Sequence, residues 1–521
     1  MAEQGHVYTV DEALTHVGFG KYQCFVLAYA GLGWVAEAME IMILSFVGPT
    51  VKSEWNLSST EESLITTSVF AGLVVGAYAW GLVADNYGRR HAFSLALFIF
   101  VFPLFLSHTK YYNYSGCSEL LFWKPMGFLG EALVTAGAGL LSSFSPNYIT
   151  LITLRCLVGV GLGSGHVFLS WFLEFVPPSN RGMWMVIFSS FWTIGSVSEA
   201  IGAWIIMPRL DWRWLLGLSS IPSFILLAFL GFQPESPRYL CLKGRTAEAH
   251  RALEKIAQVN KTKLPNGKLV AHRSTLPTGE RAPPELVHLL SSNGGNKTTE
   301  GKSGLSLFLM LFSSKLARTT ILLWLLLFGN SFAYYAVVLL ISELSSLDTR
   351  CRSPLMFSHH PQDANLYIDE FITSLAEIPG LLLAAILVDT AGRKLSITIM
   401  FTLSCLFLLP LVTYQSNILT TGLLFGARMC VMGAFTVSLI YAAEIYPTSV
   451  RSTGAGAANA MGRIGGMVCP LVAVALVANC HQMTAVVLLV VVIVTSILSV
   501  MLIPFETKGQ ELSDTVDFTS D

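Results

Sequence analysis

Apolar and polar residues fall along this chain in long blocks. Apolar runs of spanning length lie near residues 24–48, 63–84, 127–145, 149–173, 183–206 and 212–232. Six more lie near 318–341, 367–388, 395–414, 418–443, 454–479 and 484–504. A bilayer crossing needs about 20 apolar residues. Lipid offers backbone groups no outside partner, so each run predicts one helix. Between the two sets of six lies a polar loop at about 241–305. In it, Arg245–Asn260 has helical spacing with its charges on one face, and Pro277, Pro283 and Pro284 break the remainder. The predicted divisions are an N-terminal segment 1–23, a bundle 24–240, a central loop 241–317, a second bundle 318–504 and a tail 505–521.

Composition narrows the class. Of 521 residues, 53% are hydrophobic and only 12% charged, whereas soluble chains carry about 25% charged residues. A soluble enzyme, a disordered hub and a nucleic-acid binder are therefore excluded as defaults. The net charge of -1 creates no field for acidic partners. Nine cysteines form no C-x-x-C pair and no His/Cys cluster, so no metal site or cofactor is expected. No Walker-type loop is present, which argues against ATP-driven pumping. The first apolar run is too long for a cleaved signal peptide and follows no basic n-region, so it predicts a retained helix.

Lys/Arg asymmetry sets the predicted orientation. With a cytosolic N-terminus, 22 Lys/Arg fall in cytosolic segments and 5 in outer loops, namely Lys52, Arg209, Arg213, Arg350 and Arg352. Both termini and the central loop, with its eleven Lys/Arg against five Glu, are expected on the cytosolic side. Asn56-Leu57-Ser58 then becomes an outer-loop glycosylation candidate at Asn56, while Asn260-Lys261-Thr262 and Asn296-Lys297-Thr298 face the cytosol.

The halves repeat each other. Asp85-Asn86-Tyr87-Gly88-Arg89-Arg90 follows the second run, and Asp389-Thr390-Ala391-Gly392-Arg393-Lys394 follows the eighth. The fourth run carries Arg155 and ends in Glu174, Pro177 and Arg181; the tenth carries Arg428 and ends in Glu444, Pro447 and Arg451. Two six-helix halves related by a parallel repeat mark alternating-access carriers. The repeat also exposes a surplus. Asp85 to Glu174 spans 89 positions, but Asp389 to Glu444 spans 55. The excess fits His91–Pro125, 35 residues of which ten are aromatic. This segment reads as an in-frame insertion, such as a retained intron; the alternative is a natural long loop that dips into the interface.

These motifs resemble the major facilitator superfamily across almost the whole chain. Glu174-Phe-Val-Pro177-Pro-Ser-Asn-Arg181-Gly182, Pro234-Glu235-Ser236-Pro237-Arg238 and Pro504-Phe505-Glu506-Thr507-Lys508-Gly509 look like its sugar-porter branch. Asn330-Ser-Phe-Ala-Tyr334-Tyr335 matches that branch's seventh-span motif. The paired glutamines that sugar porters carry before that Asn are Trp324 and Leu325 here, which argues against hexose. Val7–Gly20, Gly33-Trp34-Val35-Ala36-Glu37-Ala38-Met39-Glu40 and Gly462-Arg463-Ile464-Gly465-Gly466 look like plant members of the organic cation/carnitine and synaptic-vesicle-protein-related group, among them nicotinate transporters. The resemblance implies an all-α fold of twelve helices in two bundles. It also implies transport of a small charged metabolite, nicotinate-like or an organic cation or carnitine, with sugar as the alternative substrate.

Charges inside a bilayer are costly and default to function. Glu37 and Glu40 share one face of the first span. Related proton-coupled sugar porters pair a first-span acid with the fourth-span Arg. Glu37, then Glu40, with Arg155 are thus the proton-coupling candidates, against the alternative of a static ion pair. Arg463 is a candidate for a substrate carboxylate, bound bidentately, or for pairing with an acid such as Glu377 or Glu199. Glu199 and Glu377 could attract a quaternary ammonium or carry a proton, and Pro379 would tolerate a kink beside Glu377. Asn330, Tyr334 and Tyr335 are substrate candidates by the family motif; Trp34, Trp192 and Trp324 could stack on a ring or hold a cation, or simply pack. His166 reads as a packing residue. Asp85, Arg89, Arg90, Glu174, Arg181, Asp389, Arg393, Lys394, Glu444 and Arg451 read as gating latches, or as plain inside-positive topology.

The expectation is a monomeric secondary carrier coupled to protons, in the plasma or vacuolar membrane. It is not an enzyme, and its partners are substrate, protons and lipid, with no nucleic acid. A rival reading is a transporter-like receptor or a nonproductive splice form.

Overall fold

Each predicted apolar run coincides with helix in the computed structural model, which describes residues 7–87, 127–163, 165–177, 181–229, 233–242, 244–270, 311–313, 316–347, 364–413, 415–446, 451–478 and 482–508. The His91–Pro125 surplus lies outside the described residues, as do Arg89 and Arg90. Eight helical stretches among the described residues are long and apolar enough to cross a membrane, and shorter apolar helices cover 133–143 and 212–228.

The N-terminal half begins with strand β1 (Val7–Tyr8) and helix α1 (Val10–Val17). It continues with α2 (Lys21–Met42), α3 (Leu44–Trp55), α4 (Ser59–Tyr87), α5 (Gly127–Ser143), α6 (Tyr148–Leu162) and α7 (Gly165–Leu173). Helices α8 (Arg181–Ile206), α9 (Trp212–Ser219) and α10 (Ile221–Ala228) complete it. Short α11 (Pro237–Leu242), α12 (Thr246–Asn260) and strand β2 (Lys268–Leu269) open the central loop. The C-terminal half holds α13 (Ala317–Leu347), α14 (Ala364–Leu375), α15 (Glu377–Thr390), α16 (Arg393–Leu408), α17 (Asn417–Ile445), α18 (Arg451–Ala478) and α19 (Gln482–Leu502).

Several runs that read as single spans are broken in the structure, and proline accounts for two of the breaks. Pro222 is the second residue of α10 and Pro379 the third of α15. A proline donates no hydrogen bond to the residue four positions earlier, yet is tolerated in a first turn. The chain therefore ends α9 at Ser219 and α14 at Leu375, and restarts. The first span runs past its expected end at 48, turning at Ile43 and continuing to Trp55.

Packing divides the helices into two bundles that meet along two matching seams. Helix α4 of the first half lies against α18 of the second, and α8 against α14. Within the first half, α4 crosses α6 through glycines. A side chain at Gly72 would strike the Cys156 carbonyl, and one at Gly159 would strike the Val69 carbonyl. Small residues four apart let helix backbones approach closely in lipid.

Candidate functional site

Two buried arginines stand at corresponding places of the repeat, each fixed by carboxylates. In the N-terminal half, Arg155 on α6 is fully buried; it donates to Glu40 on α2 at 2.8 Å and to the Ser142 hydroxyl on α5 at 2.6 Å. Glu199 on α8, 1% exposed, accepts from the Ser219 hydroxyl at 2.7 and 2.8 Å. In the C-terminal half, Arg428 on α17 donates to Glu370 on α14 at 2.8 Å and to Glu377 on α15 at 3.0 and 3.2 Å. A guanidinium satisfies such pairs because its donors form a planar fork.

A third arginine joins the halves. Arg463 on α18 is ion-paired and hydrogen-bonded to Glu37 on α2. This corrects the pairing drawn from the resemblance: Arg155 takes Glu40, not Glu37. The three-residue spacing of the two acids does not bring them to one partner. Glu37 reaches the facing half, whereas Glu40 points into its own bundle. Arg463 likewise takes neither Glu377 nor Glu199.

Around this bridge aromatic rings form a continuous cluster. Trp34 meets Trp192 edge-on at 5.5 Å between centroids, and Trp192 meets Tyr334 at 6.3 Å. Tyr334 lies 5.2 Å from Tyr335, which lies 4.6 Å from Phe70. The cluster is wired by polar atoms. The Trp192 indole N–H donates to the Tyr334 hydroxyl at 2.9 Å, and that hydroxyl donates to Glu377 at 2.7 Å. Since Trp192 belongs to α8 and Tyr334 to α13, this chain also crosses between the halves. Asn330 is fully buried, and neither its Nδ2 nor its Oδ1 has a hydrogen-bond partner among the described residues. Trp324 stands apart from this cluster, edge-on to Phe312 at 5.6 Å.

Among the described residues, four buried glutamates, Glu37, Glu40, Glu370 and Glu377, pair with three arginines, Arg155, Arg428 and Arg463, and a fifth, Glu199, is bonded to Ser219; Glu62 is buried too and pairs with Lys52. Buried charge is expensive unless neutralised. The imbalance favours cations, either protons or a positively charged ligand.

At one end of the bundle a latch is formed within the C-terminal half. Arg393 binds Glu444 through two hydrogen bonds, both 2.9 Å, and Thr507 donates to Glu444 at 2.6 Å. The carboxylate of Glu506 accepts from the backbone N–H of Arg393 and of Lys394, each at 3.0 Å. From the other half, Gly182 sits so that a Cβ there would lie 3.8 Å from Asp389 Oδ1. Glu174 follows the end of α7, but the side chains of Asp85, His166, Arg181 and Arg451 lie outside the described ones. The glycosylation candidate Asn56 is exposed in a left-handed turn (φ 52°). The Ser58 amide and, after it, the Ser58 hydroxyl of the same sequon each donate to Glu61 at 2.8 Å and hold its carboxyl below the ordinary range.

The sequence motifs pass over Glu370, include Glu506 only as part of the Pro504–Gly509 signature, and give Arg428 no role of its own. The repeat carries the missing signal: Arg428 occupies the place of Arg155, and an acid one turn or two before Glu377 on the adjacent run is the partner to seek.

Comparison with known proteins adds the following. The family described as "Sugar (and other) transporter" matches residues 32–150 and 124–516. Organic cation/carnitine transporter 7 of Arabidopsis thaliana is 51% identical over 526 aligned residues, covering 99% of this chain and 98% of that one. Synaptic vesicle 2-related protein of Xenopus laevis is 31% identical, covering 97% and 82%. Among solved structures, the major facilitator proton:xylose symporter XylE bound to 6-bromo-6-deoxy-D-glucose aligns with a TM-score of 0.64 at 17% identity, over 94% of this chain and 98% of that one. The inward-open XylE of E. coli aligns at 0.58 and 16%, over 94% and 98%. At these identities the structures establish the fold alone.

Proposed function

The chain belongs to the sugar (and other) transporter family of the major facilitator superfamily, and from that premise we propose a secondary, proton-coupled carrier whose substrate is a small metabolite with a positively charged nitrogen. Organic cations, carnitine and pyridinium betaines form this class; nicotinate-like carboxylates, which lack that cation at neutral pH, are the anionic alternative and would be held through Arg463. The observation that carries the reading is the aromatic cluster Trp192, Tyr334 and Tyr335, wired to Glu377 where the halves meet. Aromatic faces attract quaternary nitrogens, each worth about 0.5–2 kcal/mol, and a buried carboxylate beside them adds charge complementarity. The Arabidopsis relative supports the same class by its name. Sugar is disfavoured because a hydroxyl-rich ligand needs many polar partners, and the groups where the halves meet here are mainly rings and charges.

Substrate binds between the halves, with access alternating by rocking of one bundle on the other. Glu37, Glu40 and Arg155 handle the proton; Arg463, Asn330, Tyr334, Tyr335, Glu199 and Glu377 hold substrate or its charge. The carrier works as a monomer in the plasma or vacuolar membrane, with both termini in the cytosol. Uptake into proteoliposomes tests this. Labelled carnitine or another quaternary cation accumulates under an imposed proton gradient, xylose does not, and a protonophore abolishes the accumulation. Saturable xylose uptake with no uptake of cations would overturn the substrate class.

A further inference from the structure

We propose that Glu37 is a built-in competitor for the carboxylate of the substrate: protonation of Glu37 hands Arg463 from the protein to the ligand. This inference rests on the carrier reading above and names the step that couples proton to substrate.

Three observations support it. First, Arg463 is the one arginine of the three whose carboxylate lies in the opposite half; Arg155 and Arg428 are ion-paired inside their own bundles, and Arg428 reaches across only to the Met42 sulfur at 3.6 Å. Its side chain is also 14% exposed, against 0% for the other two, so it borders the space between the halves. Second, Arg463 belongs to the aromatic region, with Tyr335 beside its charge. A ligand whose nitrogen rests on Tyr334 and Trp192 therefore has a guanidinium within reach for an anionic end. Third, Glu37 has a second place to go. Its Oε2 has no partner among the described residues and faces a cavity of about 10 Å³ that Thr135 and Ser223 also line. The Thr135 hydroxyl, 2% exposed, is likewise without a partner among the described residues.

The chemistry differs between the two forms of Glu37. Ionised, it only accepts, and Arg463 Nη2 satisfies its Oε1. Protonated, it gains an O–H donor and loses its claim on Arg463, and Thr135 on α5 is an acceptor in its own bundle. The proton thus moves Glu37 from a partner in the far half to one in the near half. The freed guanidinium takes a carboxylate bidentately. Charge at Arg463 balances in both states, because one carboxylate replaces another and one proton has been added. The groups facing Glu37 are Arg463 from α18, Tyr335 from α13, Thr135 from α5 and Ser223 from α10, with Glu40, held by Arg155, one turn along α2.

Coupling of this kind distinguishes substrates. A ligand with a carboxylate needs the proton; one without it does not compete with Glu37. The experiment measures equilibrium binding to the purified full-length protein in lipid nanodiscs. The probes are carnitine and choline, which share the quaternary nitrogen while only carnitine bears a carboxylate. Carnitine affinity is expected to rise as pH falls, approaching tenfold per pH unit where one proton is taken up with the ligand. Choline affinity is expected to change little over the same range. Glu37→Gln, verified as folded by its elution and thermal melt, removes the carnitine pH slope. Arg463→Lys, which keeps charge but not the fork, weakens carnitine about tenfold or more.

Equal pH slopes for the two probes would overturn the proposal, and this comparison needs no variant. A carnitine affinity that follows sodium at fixed pH would also overturn it, by placing a metal cation in the cavity beside Glu37. Choline binding with no carnitine binding would leave the carrier standing and remove the swap; binding of neither would remove both.

Discussion

An arginine inside a bilayer must be neutralised where it stands, and each bundle does this for its repeat arginine, Arg155 or Arg428, with acids of its own. Arg155 and Glu40 are both completely buried, so neither has water to fall back on when the other is removed. Removing one member of such a pair costs about 3–5 kcal/mol, much of it the stranded charge. Arg155→Gln should therefore lower the thermal melting point of the detergent-purified protein markedly. The double variant Arg155→Gln with Glu40→Gln should recover part of the loss, since two amides can bond each other and the Ser142 hydroxyl. A double variant that melts no higher than Arg155→Gln alone would show that the pair is not the origin of the cost. The sequence revealed these residues as intramembrane charges and, through the resemblance, offered Arg155 either acid, Glu37 before Glu40, but not which one takes it. Helical periodicity places Glu37 and Glu40 on one face, and the divergence of their side chains arises only when folding brings Arg463 of α18 to one and Arg155 of α6 to the other.

At the level of elements, the predicted helix over Arg245–Asn260 forms as Thr246–Asn260, but what it grips is not written in its own residues. Strand β1 pairs in parallel with β2, Val7 with Lys268 and Tyr8 with Leu269. Helix α1 is started by a capping box, with Thr9 accepting from the Glu12 amide at 3.2 Å and the Thr9 amide donating to Glu12 at 3.0 Å. It buries Ala13 and Leu14 completely, and Asp11 is ion-paired to Arg238. Asn260 at the end of α12 accepts from the Tyr22 amide at 3.0 Å and donates to Gln23 at 2.8 Å, tying the central loop to the start of α2. Such contacts join positions some 240 residues apart, so no local pattern announces them. Leu14→Asp should release this clamp, because a carboxylate cannot stay in an apolar site without a partner. Limited trypsinolysis should then cleave at Lys263 and Lys268 faster than in the wild type, while the membrane helices remain protected. Unchanged cleavage would mean that the N-terminal segment does not hold the loop. The spans were legible for the opposite reason: a helix buried in lipid and protein must be apolar all round, and that requirement is written locally. Their breaks at Ser220 and Ala376 were partly legible through Pro222 and Pro379.

Two questions concern the whole molecule: its length and its movement. In the sequence the surplus His91–Pro125 follows Arg90, directly after the motif whose repeat partner carries Arg393. We propose that it is dispensable for the fold; a protein with Arg90 joined to Met126 should express and melt at least as well as the full chain, and aggregation of the shortened form would refute this. Movement depends on contacts that exist in only one state. The halves touch at both ends: Gly182 lies over Asp389 at one, and Trp204 stacks on Phe371 at 6.3 Å at the other. An alternating carrier must break one set at a time. At the Gly182 end, Arg393 is held by two bonds to Glu444, and its side chain is only 11% exposed. Glu506 fixes the adjoining backbone. A hydrogen bond to a charged group contributes about 1.5–3 kcal/mol, which is about a tenfold population change or more. Glu444→Gln keeps the shape and the Thr507 contact but halves the fork and removes the charge. It should free Arg393, loosen the ends of α15 and α16 under Gly182, and shift the protein toward the state open at this end. The measurement is the rate at which a maleimide reaches a cysteine placed at Gly182, where a side chain has room. That rate should rise several-fold with Glu444→Gln and should be unaffected at a second cysteine replacing Ile418, which is exposed on α17. Equal rates with and without Glu444→Gln would assign the charged loops to topology rather than to gating.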